Sequence, residues 1–247
     1  MIGGAIAALV SREPKAVLGL ATGSSAEPVY ENLVSRYQAG EVSFRQVRAF
    51  QLDEYVGLPA DHPESYRSTI RRQVTERLDL DPAEVRGPDA NATDLLAACA
   101  AYEEEIAAVG GVDLQLLGIG TDGHIGFNEP GSSLGSRTRL KTLTAQTRID
   151  NARFFGGDLE KVPRHCITQG VGTIMSARHL VMAVWGEQKA DAVAACVEGP
   201  VSALVPASAL QLHPHATVVC DEAAAAKLTH AQYYRDTWAA KPAWQGI

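Results

Sequence analysis

Short apolar runs alternate along the chain with longer amphipathic stretches. The runs have the length of buried strands, and they lie at Ala16–Ala21, Val47–Leu52, Leu114–Ile119, Leu180–Trp185 and Ala216–Cys220. Because helix-length segments separate most of them, successive strands need crossover connections and should pair in parallel. The alternation therefore predicts an α/β fold in which helices pack on a mostly parallel sheet.

Proline and glycine mark the ends of the predicted helices. Pro28–Gln38 begins with a proline and stops before Gly40, and Ala92–Val109 ends at Gly110. Proline favours the first turn of a helix and glycine the position after its last turn. The same reasoning predicts a helix-like stretch directly after Met1 and further helices at Ser65–Leu78, Gln188–Val197 and Asp221–Leu228.

Composition excludes several classes of protein. The 247 residues include 22 Lys and Arg against 29 Asp and Glu, a formal net charge of −7, which disfavours nucleic acid or an anionic membrane as the main partner. The apolar runs are far shorter than the ~20 residues of a membrane span. Residues 1–10 lack the basic residue of a secretory signal. With no linker or repeat dividing the chain, we expect one cytoplasmic domain over residues 1–247.

The cysteines indicate reduced thiols and no metal site. None belongs to a Cys-x-x-Cys pair, and they are scattered at Cys99, Cys166, Cys196 and Cys220. Without an export signal, such spacing favours buried free thiols. The one histidine cluster, His213-Pro214-His215, is by itself only a weak indication of zinc.

Ligands of such folds bind at the carboxyl ends of the strands, where two features suggest a phosphate site. Thr22-Gly23-Ser24-Ser25 lies between a strand and the helix that opens at Pro28, so its backbone N–H groups can cradle an anion. Lys189 lies in the first turn of a predicted helix, where the dipole disfavours a cation unless an anion is bound. A ligand-free compact turn and a solvated lysine are the alternatives.

A second set of residues suggests proton transfer. Gly118–Pro130 (GIGTDGHIGFNEP) places Asp122, His124 and Glu129 directly after a buried strand, and flanking carboxylates can orient a histidine and keep it basic. Asp53 ends another strand and would face the same crevice, although a turn cap is its alternative role. Two separate groups of this kind suit a reaction with two distinct proton transfers.

These segments resemble the glucosamine-6-phosphate deaminase family. The similarity extends from about Leu18 to Asp221, and its motifs are Asp53–Gly57 (DEYVG), Gly118–Pro130, Ser132–Leu143 (SSLGSRTRLKTL) and Leu210–Asp221. The resemblance implies a doubly wound, Rossmann-like sheet with helices on both faces. It also implies that the chain converts glucosamine 6-phosphate and water to fructose 6-phosphate and ammonia, with no metal or organic cofactor.

The resemblance also implies the roles of individual residues. His124 would open the sugar ring, with Asp122 and Glu129 as its partners. Asp53 would then move the C2 proton to C1, because that proton is acidic only once C1 is a carbonyl. Arg153 and Lys189 would face the phosphate, and the whole implied substrate clamp is Gly23, Ser24, Ser25, Arg153 and Lys189.

Regulation is implied by a further segment. Some family members are hexamers activated by N-acetylglucosamine 6-phosphate bound between subunits, and the matching positions here are Ser132, Ser133, Arg139, Lys141 and Thr142. A solvated edge strand is the alternative, and the family's C-terminal allosteric tyrosine has no clear counterpart, since Tyr233-Tyr234 lies slightly out of register. The resemblance thus implies a homo-oligomer, with a hexamer as one form, and this effector.

Two other functions fit parts of the pattern. A 6-phosphogluconolactonase shares the fold and an Asp-Gly-His loop, but Asn128-Glu129-Pro130 and Asp53-Glu54-Tyr55 follow the deaminase pattern, and a lactonase needs no C2 base. A non-catalytic sugar-phosphate sensor would lack the acid and base residues and would carry a DNA-binding segment. We therefore expect a deaminase acting on a small sugar phosphate.

Overall fold

The structure is a computed structural model that describes residues 1–59 and 61–247. The strands are β1 (Val17–Leu20), β2 (Arg48–Gln51), β3 (Asp53–Tyr55), β4 (Val85–Arg86), β5 (Leu114–Leu117), β6 (Arg139–Thr142), β7 (His165–Thr168), β8 (Leu180–Val184) and β9 (Ala216–Cys220). The helices are α1 (Ile2–Arg12), α2 (Glu27–Gln38), α3 (Tyr66–Ile70), α4 (Leu95–Ala108), α5 (Ala145–Asn151), α6 (Val171–Ile174), α7 (Ala190–Val197) and α8 (Ala231–Ala240).

A six-stranded sheet in the order β4-β2-β1-β5-β8-β9 forms the centre of the fold. All of its neighbouring strands pair in parallel. The chain adds β2 and β4 on one side of β1, and then β5, β8 and β9 on the other, so the winding direction reverses between β1 and β5. The predicted doubly wound parallel sheet is confirmed. Ligands of such sheets bind at this switch point.

The core explains why the central strands were recognisable in the sequence. Strands β1, β5 and β8 are buried along their whole length, as continuous apolar runs require of strands covered on both faces. Side chains from the surrounding helices complete this core, among them Ile6, Leu33 and Ile106. None of the helices in residues 1–59 and 61–247 is long and apolar enough to cross a membrane.

A second, antiparallel sheet was not predicted. It has three strands in the order β3-β7-β6. Leu52 joins the two sheets: its N–H donates to the Leu20 carbonyl at 3.2 Å, and its carbonyl accepts from the Gln169 N–H at 2.7 Å. Asp53 is therefore the first residue beyond the joint, and it lies at the carboxyl edge of the parallel sheet.

The predicted helix over Asp221–Leu228 is wrong. The segment is a series of turns, because Asp221 Oδ1 accepts from the Ala224 N–H at 2.8 Å and both carboxylate oxygens accept from the Gly186 N–H at 3.1 Å. These bonds tie the chain to the loop after β8, and the next helix, α8, begins only at Ala231.

The other predicted helices exist with shifted boundaries. Helix α4 begins at Leu95 instead of Ala92, because Asp94 Oδ1 accepts from the N–H groups of Leu96 and Ala97 at 3.0 Å each, which is the N-cap arrangement. The predicted helix over Ser65–Leu78 is divided into α3 and a π-helical turn at Arg71–Thr75.

Candidate active site

A cavity of about 610 Å³ opens at the switch point of the parallel sheet. Its walls come from the loops after β1 and β5, the start of β3, helix α3, and α5 with the 3₁₀ turn that follows it. Seven predicted site residues line it: Gly23, Ser24, Ser25, Asp53, His124, Arg153 and Lys189. The fold thus brings the phosphate candidates and both proton-transfer candidates to one cavity.

The loop after β1 presents backbone donors to this cavity. Gly23 has a φ of +99°, and its carbonyl accepts from the Ala26 N–H at 3.0 Å, which closes the turn before α2. In the described ranges no group accepts a hydrogen bond from the backbone N–H of Gly23, Ser24 or Ser25. With a 12-residue helix directly behind it, this loop has the geometry of an anion site.

Two cations line the cavity. Lys189 lies at the start of α7, and its Nζ donates to the Ile119 carbonyl at 2.7 Å. Burial lowers the pKa of Lys189; the charge of Asp122 opposes that effect, and the charge of Arg153 adds to it. Arg153 is exposed, with its guanidinium carbon 4.7 Å from the ring centre of Phe154. An anion bound between the two cations would relieve their repulsion.

Asp53 is a buried carboxylate at the cavity wall, with 6% of its surface exposed. Burial, followed by the charge of Glu54, raises the pKa of Asp53 to about 8. Gly126 lies against it with a φ of +55°, and a Cβ there would be 3.4 Å from Asp53 Oδ2 and 2.9 Å from Thr168 Oγ1. The site therefore holds a carboxylate with an unusually high proton affinity, and the neighbouring position 126 places no side chain against it.

His124 is fixed from two sides. Its Nδ1 lies 2.6 Å from Asp122 Oδ1, and the proximity of His124 lowers the pKa of Asp122. The imidazole rests on the backbone of Gly120, where a Cβ would come within 2.2 Å of ring atoms. These contacts leave Nε2 as the nitrogen that can meet a ligand.

In the described ranges no hydrogen bond or ion pair joins Glu129 to this histidine. Glu129 is 4% exposed, and its Oε1 accepts from the Thr144 N–H at 3.2 Å, from the Thr144 hydroxyl at 3.0 Å and from the Thr147 hydroxyl. Glu129 therefore ties its loop to the start of α5, the helix that leads to Arg153. Sequence spacing did not indicate this contact.

An aromatic wall was also missed. The rings of Tyr66 and Phe127 stack with centroids 5.8 Å apart and an interplanar angle of 13°. The Tyr55 hydroxyl accepts from Asn151 Nδ2 at 2.8 Å and lies 3.3 Å from the Tyr66 hydroxyl. The available sequence signal was that Tyr55 and Phe127 lie within the motifs that carry Asp53 and His124.

The residues implied for regulation lie outside the cavity, on β6 and the loop before it. Arg139 Nη1 donates to Oδ1 of the buried Asn128 at 2.8 Å, and burial lowers the pKa of Arg139. Ser132 is 3% exposed, and its hydroxyl has no hydrogen-bond partner in the described part of the chain. Of the implied set, Arg139, Lys141 and Thr142 lie on β6, and Ser132 and Ser133 lie in the loop before it.

The histidine cluster lies at the opposite edge of the parallel sheet. The rings of His179 and His215 stack with centroids 3.6 Å apart, and His213 Nε2 lies 2.8 Å from the Ala177 carbonyl oxygen. Within residues 1–59 and 61–247, no three His, Cys, Asp or Glu side chains are grouped as metal ligands would be.

Similar structures indicate how widely this fold is shared. A solved structure described as a monomeric glucosamine-6-phosphate deaminase matches with a TM-score of 0.89 and 42% identity, covering 92% of this chain and 93% of that chain. A 6-phosphogluconolactonase from Thermotoga maritima matches with a TM-score of 0.68 and 21% identity over 89% and 90% of the two chains. At that identity, the second match supports the fold alone.

Relatives found by sequence have a higher identity to this chain than the solved structures do. A glucosamine-6-phosphate deaminase of Mycolicibacterium smegmatis is 66% identical over 243 residues, which cover 98% of this chain and 93% of the relative. One from Streptomyces coelicolor is 65% identical over 247 residues, 100% of this chain and 95% of the relative. The family model for glucosamine-6-phosphate isomerases and 6-phosphogluconolactonase matches residues 2–219. The chain belongs to this isomerase and lactonase family.

Proposed function

We propose that the chain is a glucosamine-6-phosphate deaminase, which converts glucosamine 6-phosphate and water to fructose 6-phosphate and ammonia. The observation that carries the proposal is one cavity that combines an anion-binding wall with two separate proton-transfer groups, Asp53 and His124. Relatives of this name match 98% or more of the chain at 60% identity and above. The partner is therefore a small sugar phosphate.

The phosphate occupies the end of the cavity beside the loop after β1. It accepts hydrogen bonds from the backbone N–H groups of Gly23, Ser24 and Ser25. Arg153 offers its planar guanidinium and Lys189 a point charge, two complementary ways of holding a phosphate. Support for this assignment comes from the unused N–H groups and from the two cations, neither of which forms a salt bridge in the described ranges.

Ring opening is assigned to His124. Its imidazole takes the proton of the anomeric hydroxyl and returns it to the ring oxygen as the C1–O bond breaks. Asp122 holds Nδ1 and stabilises the imidazolium that forms between the two transfers. Glu129 remains in the proposed ring-opening set, and its contacts with Thr144 suggest that it acts by holding the loop.

Asp53 carries the second proton transfer. It removes the C2 proton of the open-chain aldehyde while the substrate's ammonium group passes a proton to O1, which gives an enolamine, and it then delivers the C2 proton to C1. The product is an iminium at C2; water attacks this carbon, and the C2–N bond then breaks to release ammonia and leave the ketone. A desolvated carboxylate binds protons more strongly than one in water, which suits removal of a weakly acidic C–H proton.

The decisive experiment measures ammonia release from glucosamine 6-phosphate by the purified protein without added metal, beside hydrolysis of 6-phosphogluconolactone. We expect ammonia and no lactonase activity; lactone hydrolysis without ammonia would refute the proposal. In Asp53→Asn we expect no exchange of the C2 proton with solvent deuterium. His124→Gln should slow ring opening and spare a substrate that is already open.

Regulation forms a further part of the proposal. Ser132, Ser133, Arg139, Lys141 and Thr142 would bind N-acetylglucosamine 6-phosphate where β6, an edge strand, meets another subunit of a homo-oligomer. The buried, unpartnered Ser132 hydroxyl and the half-buried Arg139 cation support this assignment. Saturation curves with and without the effector, together with sedimentation, test it. A monomer with an unchanged hyperbolic curve would contradict it.

The cellular compartment of the protein is proposed from the state of its cysteines. All four cysteines, Cys99, Cys166, Cys196 and Cys220, are free thiols, as is typical of proteins in a reducing compartment. We therefore assign the enzyme to the cytoplasm. Cell fractionation with an antibody against the chain would test this, and recovery with exported proteins would contradict it.

A further inference from the structure

Glu54 is a buried carboxylate directly beside the proposed base, and the scheme above gives it no role. It is 8% exposed. Its Oε1 accepts from the N–H groups of Tyr55 at 2.8 Å and Tyr66 at 3.0 Å, and its Oε2 accepts from the Arg67 N–H at 2.9 Å. These bonds hold the start of α3 against β3.

The two neighbouring carboxylates have unlike surroundings. Burial raises the pKa of Glu54, but the three backbone donors oppose this effect. Asp53 is buried to a similar degree and accepts no hydrogen bond from the described residues. Hydrogen bonds stabilise an ionised carboxylate, so the three backbone donors favour the charged form of Glu54, whereas Asp53 has no such donors. When Glu54 is charged, Asp53 must ionise beside that negative charge.

Among the described residues, Glu54 is the neighbour whose charge raises the pKa of Asp53. Four titratable groups pack near it, from β3, α3, α4 and β7. Burial raises the pKa of each, so all four are neutral at physiological pH: Tyr55, Tyr66, Tyr102 and Cys166. The facing residue on β7, Thr168, is uncharged. Other ionisable groups line the same cavity, among them His124, Lys189, Arg72 and Arg153, but Glu54 is the group whose charge raises the pKa of Asp53.

We propose that Glu54 is a positioning residue for the proton transfer at C2: it holds α3 against the strand that carries Asp53 and places a fixed negative charge behind that base. The inference rests on the proposed function, because it assigns Asp53 as the base. Helix α3 and the π-helical turn after it supply Tyr66, Thr69 and Arg72 to the cavity wall. Glu54 thus sets both the proton affinity of Asp53 and the position of the part of the cavity wall that α3 forms.

The test is the pH profile of kcat/KM for Glu54→Gln, which keeps the shape of the side chain and removes its charge. A base must be deprotonated to act, so kcat/KM rises with pH through the pKa of Asp53. Without the neighbouring charge, the midpoint of this acidic limb should move to lower pH. We compare kcat/KM at one acidic pH, expressed as a fraction of the plateau value of the same protein. For each pH unit by which the midpoint falls, this fraction should be about tenfold higher in the variant than in the wild type.

Glu103→Gln is the matched control. Glu103 is also partly buried, and it accepts from the Thr138 N–H at 2.7 Å and from the hydroxyls of Thr138 and Thr173. It does not line the cavity. The same chemical change there should leave the acidic limb at its wild-type midpoint, even where it lowers stability.

Glu54→Asp provides a second test if Glu54→Gln does not fold. It retains the charge and shortens the side chain, so the midpoint should stay at the wild-type pH while kcat falls. A Glu54→Gln variant with the wild-type midpoint and an equal loss of activity at every pH would overturn the proposal, and so would a lowered midpoint in Glu54→Asp. If the wild type releases no ammonia, the proposed function fails instead.

Discussion

At the scale of single residues, the surroundings of Asp53 link catalysis to stability. Its pKa is about 8 in the folded protein, whereas an aspartate in an unfolded chain titrates near about 3.9. Between these pH values the folded state holds a proton that the unfolded state has released. Stability therefore falls as pH rises from about 4 to about 8, while the active, ionised form of the base accumulates.

Replacing Asp53 with asparagine should therefore stabilise the protein in a pH-dependent way. Asparagine avoids the cost of ionising a buried group, so the gain in unfolding free energy should be near zero around pH 4 and reach a few kcal/mol above pH 8. Urea unfolding across this range measures it. A gain that does not change with pH would contradict the assigned pKa shift.

Gly120 is the residue on which the position of His124 depends. In Gly120→Ala, the added Cβ would lie within 2.2 Å of the imidazole, so the ring must move, and kcat should fall by about 10²-fold or more, as for loss of a general acid or base. Gly135→Ala is the control, because a Cβ at Gly135 meets nothing within 4 Å. Equal activity of the two variants would show that the ring position does not matter.

At the scale of secondary-structure elements, the sequence was informative only where local pattern decides the structure. Five of the six strands of the parallel sheet lie in short apolar runs, and these five were predicted, whereas the two-residue, partly exposed β4 was not. The segments DEY and HCIT of β3 and β7 are short and partly polar, and each pairs with a segment far away in the chain. For the same reason, the contact between Glu129 and Thr144 could not be predicted, whereas Asp53 and His124 could, from their places just after strands.

The hydrogen bond between Tyr55 and Asn151 connects β3 to α5, which leads to Arg153. Tyr55→Phe removes the hydroxyl that accepts from Asn151 Nδ2 at 2.8 Å. Because the Arg153 segment loses this tie, we expect KM for glucosamine 6-phosphate to rise several-fold with a smaller change in kcat. Tyr37→Phe is the control, since the Tyr37 hydroxyl has no partner in the described ranges. An unchanged KM in Tyr55→Phe would contradict the role of this contact.

At the scale of the whole molecule, the two sheets share one cavity. The parallel sheet supplies the anion-binding loop, and the antiparallel sheet begins with Asp53. We predict that residues 1–247 unfold as one domain, because Leu52 forms backbone hydrogen bonds with both sheets. Unfolding of one sheet would therefore expose the other sheet to solvent. In a denaturant titration, loss of circular dichroism and loss of activity should coincide. Separate transitions would contradict the single-domain prediction.

The joint at Leu52 also bears on how new reactions arise on this scaffold. The residue after it supplies the proposed C2 base, while the anion-binding loop follows a different strand, so we expect a substitution of Asp53 to change the chemistry and to leave recognition of the phosphorylated substrate intact. An ancestral protein with this layout could keep its class of metabolite while exchanging one reaction for another. Directed evolution toward other reactions of the same sugar phosphate should therefore begin at Asp53, the first residue of β3.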